Sequence, residues 1–399
     1  MHIYYFQLGT HFQLSRLEIE KVLLKLKVEA TPDMVGQFLR VSTPTELPDT
    51  LLSQLGGTER ILKHMATFSH QPEPNDILEA LAPLPPKWKI GLSVLGASSP
   101  LNLQRLGIDI KKAAREQESK VAFIIPAGRS THLNAAQVIF NRLTKDSNVE
   151  LFLFPHKDEW VAAKTLHVQD IQAYEKRDTR RPVRDPKAGM LPPKLAQIMI
   201  NIATGSLPPD SEEITILDPF CGAGTVLQEG WLMRYRMLGS DADTKMIDAS
   251  EANLRWLADN FSVDTTIPPL LRIHDVQHPF PVDYNGIVSA IVTEPYLGKA
   301  RSTPLLQQIA DRDIKKLIKM YKLFYKNMHS ALMPEGLILA ALPQIKTSSG
   351  WAYFPPEFID EISRIGYRLQ QLSSTPRGTL VYKRPDAVVA RELIMFRKA

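Results

Sequence analysis

The stretch ITILDPFCGAGTVLQEG, residues 214–230, decides the fold of the C-terminal half of this chain. An apolar strand ends in Asp218, a turn containing two glycines follows, and an apolar helix begins after Gly224. From residue 195 onward, strands and helices alternate in this way. The alternation predicts an α/β fold with a doubly wound, mostly parallel sheet, to which two β stretches near the C-terminus add an antiparallel edge hairpin.

Length and composition predict a globular chain of two or three domains, because the 399 residues are set against about 150 per domain. The single cysteine excludes an intrachain disulfide and a cysteine-rich zinc site, and we predict no metal site. We find no apolar run long enough for a membrane span and no signal-peptide pattern, so we expect a cytoplasmic protein. The net charge of +5 is compatible with a polyanionic partner but does not decide between that and solubility.

The N-terminal half predicts two small units that combine strands and helices. Residues 1–70 begin with a strand, IYYFQL, and a helix whose start is indicated by a capping box from Ser15 to Glu18. A turn at Gly56 and Gly57 predicts another helix after it. Five prolines between residues 70 and 87 predict a boundary, and strands alternate with helices after it. We therefore predict domains at 1–70 and 71–160.

The segment KRDTRRPVRDPKAGMLPPK, residues 176–194, contains seven basic residues and four prolines. Its composition predicts a linker, for which we set bounds of 161–185, followed by a C-terminal domain at 186–399. Two interpretations of its charge remain open, namely a solvated connection and a surface that contacts nucleic-acid phosphates.

The glycine turn excludes two common nucleotide-binding loops. A phosphate-binding P-loop requires Gly-Lys-Ser/Thr, and this turn has no lysine. A dinucleotide fingerprint requires a third glycine, where Leu227 stands here. Cys221 lies inside the turn rather than after the fourth strand, so a covalent cysteine mechanism is not expected, and we interpret it as a small packing residue.

Acidic residues follow three successive strands at the edge where ligands of open α/β sheets bind: Asp218, Asp241 and Asp275. S-adenosylmethionine fits this charge pattern, because it carries a sulfonium and an ammonium and has no phosphate. We predict that Asp241 accepts hydrogen bonds from the ribose hydroxyls and that Asp275 meets the adenine amine. The alternative is that these aspartates only cap the helices that follow them.

The fourth strand ends in IVTEPYLG, residues 291–298, which is similar to the (Asp/Asn)-Pro-Pro-(Tyr/Phe) loop of methyltransferases that act on exocyclic amines. Pro295 and Tyr296 match, Thr293 stands at the Asp/Asn position, and Glu294 replaces the first proline. In such loops a polar group accepts the amine N–H, and an aromatic ring stacks on the extruded base. An ordinary turn is the alternative, and the Thr-Glu change also leaves open a loop without activity.

The whole chain resembles the THUMP-containing tRNA guanosine N2-methyltransferases, class I enzymes whose best-known members modify guanosine 10 of tRNA. The resemblance rests on LGTHFQLSRLEIEKVL and LGGTERILK for a ferredoxin-like domain, and on GIDIKKAARE and LNAAQVIFNRL for a THUMP-like domain. It also rests on RDPKAGMLPPKLAQIMINIA, DPFCGAGT and RGTLVYKRPDAVVARELIMFR in the C-terminal domain. It implies a Rossmann-like methyltransferase domain with a seven-stranded, mostly parallel sheet, preceded by two α+β domains.

The resemblance also implies roles for individual residues. For the cofactor S-adenosylmethionine, it implies contacts from Lys194, Asp218, Pro219, Cys221, Gly222, Gly224, Thr225, Asp241 and Asp275. For the base amine, it implies Thr293, Glu294, Pro295 and Tyr296. For the phosphates of a tRNA partner, it implies Arg180, Arg181, Arg184 and Lys187.

We therefore predict methylation of a guanosine N2 amine in tRNA. Two alternatives are N6-adenine or N4-cytosine methylation of DNA, and a tRNA-binding protein that has lost its activity. The resemblance leaves open a small activator subunit, which some eukaryotic relatives need.

Overall fold

The computed structural model describes residues 1–96, 101–128, 130–145, 147–184, 190–209, 211 and 213–399. These residues form two compact units. Unit 1 comprises Met1–Phe12, Val28–Ser53 and Thr58–Ile171, and unit 2 comprises Gln13–Lys27, Gln54–Gly57 and Gln172–Ala399. No helix in the described part of the chain is both long enough and apolar enough to cross a membrane.

The elements up to residue 179 are β1 (His2–Leu8), α1 (Phe12–Lys25), β2 (Thr31–Val35), β3 (Phe38–Thr43), β4 (Thr58–Phe68), α2 (Pro74–Ala80), β5 (Lys87–Val94), α3 (Leu103–Glu116), β6 (Lys120–Ile124), α4 (Ala135–Phe140), β7 (Val149–His156), β8 (Glu159–Val168) and α5 (Ile171–Thr179). The elements that follow are α6 (Pro193–Thr204), β9 (Thr215–Asp218), α7 (Thr225–Leu232), β10 (Arg236–Asp241), α8 (Thr244–Asn260), β11 (Leu270–Ile273), β12 (Val288–Thr293), α9 (Gln307–Met328), β13 (Leu332–Thr347), β14 (Gly350–Ala352), α10 (Pro356–Arg364), β15 (Tyr367–Gln370), β16 (Leu380–Tyr382) and β17 (Val389–Lys398). Short 3-10 helices lie at Leu51–Gln54 and Val282–Tyr284.

Unit 1 is built on one sheet of eight strands in the order β2-β3-β1-β4-β8-β7-β5-β6. The antiparallel pairing of β4 with β8 joins strands from both sides of the predicted boundary at residue 70. The prolines near that boundary therefore lie in a connection within one sheet and do not separate two sheets. Residues 58–68 form strand β4 rather than the helix predicted after Gly57.

The predicted linker at 161–185 is wrong over most of its length. Strand β8 occupies its first part and pairs with both β4 and β7. Helix α5 follows, and two of its side chains, Tyr174 and Arg177, are buried. Arg177 Nε donates to Glu229 of α7 at 2.6 Å, so one of the basic residues that suggested solvation belongs to a buried ion pair.

The capping box predicted from Ser15 to Glu18 is also wrong, because α1 begins at Phe12 and both residues are buried within the helix. Most of α1 belongs to unit 2 rather than to an N-terminal domain. Glu18 accepts hydrogen bonds from the backbone of Gly56 and Gly57, both at 2.8 Å, and from Asn201 Nδ2 at 2.7 Å. These bonds satisfy a carboxyl group whose pKa is raised to about 7 by burial.

Unit 2 is a doubly wound α/β unit with a sheet of nine strands, of which seven follow the order β11-β10-β9-β12-β13-β17-β15. Strands β14 and β16 pair only with β13 and β17. Helices α6, α7 and α8 pack on one face, while α9 and α10 pack on the other. The antiparallel strands β17 and β15 form one end of this sheet, so the predicted antiparallel edge is present, but β15 and β16 each pair with β17 and not with each other.

Candidate active site at the strand ends of unit 2

The parallel strands β10, β9 and β12 are neighbours, and their carboxyl ends lie at one edge of the sheet. The chain order reverses at β9, because β10 lies on one side of it and β12 on the other. Such a reversal opens a crevice above the strand ends. The three strands end at Asp218, Asp241 and Thr293, so this edge brings together two predicted cofactor acids and the start of the predicted acceptor loop.

Asp218 is buried at the centre of this edge. Thr293 Oγ1 donates to its Oδ1 at 2.6 Å, and the backbone N–H of Phe220 donates to the same oxygen at 3.2 Å. The pKa of Asp218 is raised to about 7, mainly by burial and also by the negative charges of Asp241 and Glu294, while the two hydrogen bonds act in the opposite direction. The carboxyl group is therefore poised to gain or lose a proton near neutral pH.

The glycine turn is held against the end of β10. The backbone N–H of Gly222 donates to Asp241 Oδ2 at 3.0 Å, while Asp241 Oδ1 accepts from the N–H of Asp243 at 3.0 Å. Gly222 and Gly224 have φ values of +51° and +81°, which favour glycine. A Cβ at Gly222 would meet no atom closer than 4.0 Å, so this backbone faces open space. An open glycine backbone beside a carboxylate fits the predicted cofactor.

Cys221 and Thr225 support the turn from beneath. Both are buried, and Ser250 Oγ lies 3.7 Å from the Cys221 sulfur. Burial raises the pKa of the Cys221 thiol, which keeps it protonated. Thr225 Oγ1 accepts from Arg181 Nη1 at 2.7 Å. These contacts describe packing and turn geometry, as expected for Cys221.

Asp275 lies two residues beyond the end of β11. Its Oδ1 accepts from the backbone N–H of Gln277 at 2.9 Å, and its Oδ2 accepts from the side-chain amide of the same residue at 3.3 Å. This is a local turn contact, and none of the helices that the structure describes begins at this turn, so the contact differs from the predicted alternative of a helix cap. A contact with adenine remains a prediction for this residue.

The acceptor loop begins with a buried hydroxyl and a paired carboxylate. Thr293 is buried and already donates to Asp218, so it is not an open partner for a base amine. Glu294 is the first residue after β12, and both oxygens of its carboxylate accept from Arg391 of β17. Burial raises the pKa of Glu294, and Arg391 opposes that rise. Pro295 is buried, whereas the side chain of Tyr296 is 54% exposed.

The backbone of this loop is fixed from α9. Tyr321 Oη donates to the carbonyl of Tyr296 at 2.9 Å, and the ring of Tyr321 stacks on Phe354 with centroids 5.2 Å apart. The exposed ring of Tyr296 is thus presented on a rigid backbone, which suits a platform on which a base stacks.

The predicted phosphate-binding residues do not form one exposed surface. Arg180 and Arg184 are exposed, but Arg181 is only 3% exposed and bonds to Thr225. Arg181 is therefore not part of an exposed basic face, because its guanidinium packs beside the glycine turn, and a phosphate contact from this residue remains a prediction. Lys187 lies outside the described residues. Lys194 is partly buried, with its amine 5.2 Å from the ring centroid of Tyr174.

Three contacts of this site were missed by sequence reasoning: Thr293 with Asp218, Glu294 with Arg391, and Arg181 with Thr225. Each joins residues far apart in the chain. For the pair of Glu294 with Arg391, a sequence signal was present in the family-like segment RGTLVYKRPDAVVARELIMFR, which contains Arg391.

Comparison with known proteins assigns the C-terminal part of the chain. Residues 180–349 match the UPF0020 family, described as an RMKL-like methyltransferase domain. The matched region is similar to a methyltransferase domain, and this match gives S-adenosylmethionine as the cofactor. The matched region includes the glycine turn, the strand-end acids and the acceptor loop.

Two curated relatives are similar to part of the chain. A tRNA (guanine(10)-N2)-dimethyltransferase from Methanothermobacter thermautotrophicus is 31% identical over 188 residues, which are 47% of this chain and 48% of that protein. A protein of the same name from Pyrococcus abyssi is 27% identical over 184 residues, which are 46% of this chain and 47% of that protein. The chain therefore spans about half the length of the curated relatives it matches.

A solved structure shares the fold over the full length. The crystal structure of TrmN from Thermus thermophilus is 16% identical, covers 100% of both chains and has a TM-score of 0.52. At this identity the likeness concerns the fold alone.

The buried Asp218 predicts how cofactor affinity depends on pH. An ionised Asp218 attracts the cofactor's ammonium, so the association constant is expected to rise with pH between about 5.5 and 7.5, below the range in which α-amino groups titrate. Thr293→Val removes a hydrogen bond that favours the ionised form, and the midpoint of the rise is expected to move to higher pH. Calorimetric titrations across this range measure the effect.

Whereas the association constant for the cofactor rises with pH, the free energy of unfolding of the cofactor-free protein is expected to fall. The folded-state pKa of Asp218 is raised, so its stabilising contribution is present at pH values below the unfolded pKa and is lost as pH rises through about 7.

Ser289→Ala is the control for Thr293→Val, because Ser289 Oγ accepts from the Thr215 N–H at 3.1 Å, at the other end of the same two strands. Equal pH midpoints for Thr293→Val and the unchanged protein would contradict the coupling.

Proposed function

We propose that this protein transfers a methyl group from S-adenosylmethionine to the N2 amine of a guanosine in tRNA. The observation that carries the proposal is the acceptor loop itself, in which a carboxylate and an exposed tyrosine follow β12 directly beside the cofactor acids. The names of the two curated relatives support tRNA guanosine as the substrate and position 10 as the first position to test.

The strand-end residues would hold the cofactor by charge and backbone contacts. Asp241 accepts the ribose hydroxyls, Asp218 attracts the ammonium, and the backbone of Gly222 and Gly224 lies close to the bound group. S-adenosylmethionine supplies an electrophilic methyl group on a sulfonium. The protein's own contribution is then to position the amine for direct displacement, which is the main source of rate in such transfers.

Glu294 is the residue that we assign to the base amine. The lone pair of an aromatic amine is delocalised into the ring, so an acceptor for its N–H helps the nitrogen to attack. Thr293 is committed to Asp218, which leaves Glu294 as the first carboxylate after β12. Arg391 holds this carboxylate in place without removing all of its acceptor positions.

Replacing Tyr296 by alanine is expected to reduce turnover and leave cofactor affinity unchanged. Stacking of a base on an aromatic ring contributes about 1–3 kcal/mol, so the expected loss in kcat/KM for tRNA is about 5- to 150-fold. Tyr296→Phe keeps the ring and is expected to retain most of the activity. Full activity of Tyr296→Ala would remove this residue from the base platform.

We extend the proposal to unit 1 as the part that grips tRNA, with residues 71–160 as a THUMP-like module and cytoplasmic tRNA as the substrate. Helix α3 in this range exposes four basic side chains, at Arg105, Lys111, Lys112 and Arg115. Such a row is suited to the phosphates of a nucleic acid.

One assay tests the proposed function. Purified protein is incubated with methyl-labelled S-adenosylmethionine and with either tRNA or DNA, and the products are digested to nucleosides. Label in N2-methylguanosine or N2,N2-dimethylguanosine from tRNA is the expected result. Label in N6-methyladenine or N4-methylcytosine from DNA would replace the proposal with DNA methylation. Cofactor and tRNA binding without any transfer would replace it with a binding protein.

A further inference from the structure

A cavity of about 610 Å³ lies in unit 2 beside the acceptor loop and the loop between β16 and β17. Leu297 and Gly298, which continue the acceptor loop directly after Tyr296, form part of its wall. The cavity wall therefore begins one residue after Tyr296, on whose ring a target base would stack. Its size is in the range of pockets that bind small ligands.

The lining of this basic cavity is strongly cationic. Its positively charged side chains are Arg181, Arg184, Lys299, Arg301, Arg384 and Arg391. Two acids, Asp178 and Asp386, also line it. Arg301 is paired with Asp313 and Arg391 with Glu294, and neither of these acids lines the cavity. Among the residues that the structure describes, the remaining four cations exceed the two lining acids by two positive charges.

Two of these cations are free to meet a ligand. Lys299 and Arg384 are exposed, and neither forms an ion pair with any residue that the structure describes. Lys299 follows the acceptor loop, and Arg384 follows β16. At the buried side of the cavity, the Arg181 Nε atom has no hydrogen-bond partner among the described residues. A buried donor without a partner is costly unless a ligand or water satisfies it.

We propose that the basic cavity binds a phosphodiester group of the RNA strand next to the target nucleotide, through Lys299 and Arg384. This inference rests on the proposed function and adds two phosphate-binding residues that lie outside the predicted basic segment at 176–194. An extruded base draws the adjoining phosphates towards the catalytic loop, and a cavity with excess positive charge at that place neutralises them. The carboxylate of S-adenosylmethionine is a second anion that the basic cavity would accept. The test therefore distinguishes binding of the RNA phosphate from binding of the cofactor carboxylate.

The test compares a Lys299→Ala, Arg384→Ala double variant with the unchanged protein in tRNA binding at several salt concentrations. The tRNA affinity is expected to fall about tenfold or more at 0.1 M salt. The slope of log K against log salt is expected to become shallower by about 0.7, which is the contribution of one neutralised phosphate in single-stranded RNA. The affinity for S-adenosylmethionine is expected to stay unchanged.

The matched control is Lys316→Ala, Lys319→Ala, which removes two exposed lysines from α9 that do not line the basic cavity. An equal loss of tRNA affinity in both double variants would mean that net charge alone is responsible and would overturn the site. Weaker cofactor binding with unchanged tRNA binding would assign the cavity to the cofactor carboxylate and overturn it as well. Unchanged tRNA affinity and slope in the cavity variant would also overturn the site, whereas absence of tRNA methylation by the unchanged protein would refute the proposed function.

Discussion

Replacing Asp241 by alanine is expected to weaken S-adenosylmethionine binding about 10- to 150-fold, which corresponds to ~1.5–3 kcal/mol for charge-assisted hydrogen bonds. The loss has two physical sources. The ribose hydroxyls lose their acceptor, and the N–H of Gly222 loses the carboxylate that holds the glycine turn at 3.0 Å. Calorimetry or equilibrium dialysis with the intact protein measures the dissociation constant.

Asp243→Ala is the matched control for this prediction. Asp243 is an exposed acid two residues away, and its side chain caps α8 by accepting from the N–H of Lys245 at 2.9 Å. Its removal is expected to lower the unfolding free energy by about 1 kcal/mol, as for other caps, with no change in cofactor affinity. A dissociation constant that stays the same in Asp241→Ala would refute the ribose role.

Replacing Glu294 by glutamine is expected to lower kcat for tRNA methylation about 100-fold, a usual loss when a positioned proton acceptor is removed. Glutamine keeps the size of the side chain and one carbonyl oxygen, but it loses the negative charge towards which the amine N–H is directed. Cofactor affinity is expected to change little, because the strand-end acids remain. Single-turnover kinetics with saturating cofactor separate the chemical step from binding.

The control for Glu294→Gln has to reproduce the loss of a buried ion pair. Glu392 is suited to this because it is a buried acid on β17 whose partner is Arg377, with the Nε–Oε1 distance at 2.7 Å. Glu392→Gln is expected to lower the melting temperature as Glu294→Gln does, and to keep kcat within a small factor. If both variants lost turnover equally, the effect on Glu294 would be one of folding and not of chemistry.

Local patterns in the sequence predicted the parts of the site that lie within one strand and the turn after it. Asp218 and Asp241 end apolar strands, and Gly222 and Gly224 follow within a few residues, so both acids and the turn were found. The contacts between strands were not found. The bond from Thr293 to Asp218 depends on β12 lying beside β9, and the pair of Glu294 with Arg391 joins residues 97 positions apart.

The same distinction between local patterns and long-range contacts explains the errors in the predicted fold. The final strand β17 is buried on both sides between β13 and β15, but its sequence does not specify its neighbours. In unit 1, the prolines near residue 70 predicted a domain boundary but lie in a connection that contains α2, and the pairing of β4 with β8 across this connection is long-range. Arg177 and Arg181 belong to the basic segment for which solvation and phosphate binding were both open, and both interpretations overlooked their partners in α7, which are distant in the sequence.

Direct titration of the intact protein with S-adenosylmethionine tests the central claim, that acids at the ends of β9 and β10 hold this cofactor against the glycine turn. The account predicts a saturable heat with one site per chain and a dissociation constant below about 1 mM, weakened in Asp241→Ala and unchanged in Asp243→Ala. Absence of any binding heat at millimolar cofactor, or equal binding by both variants, would contradict it.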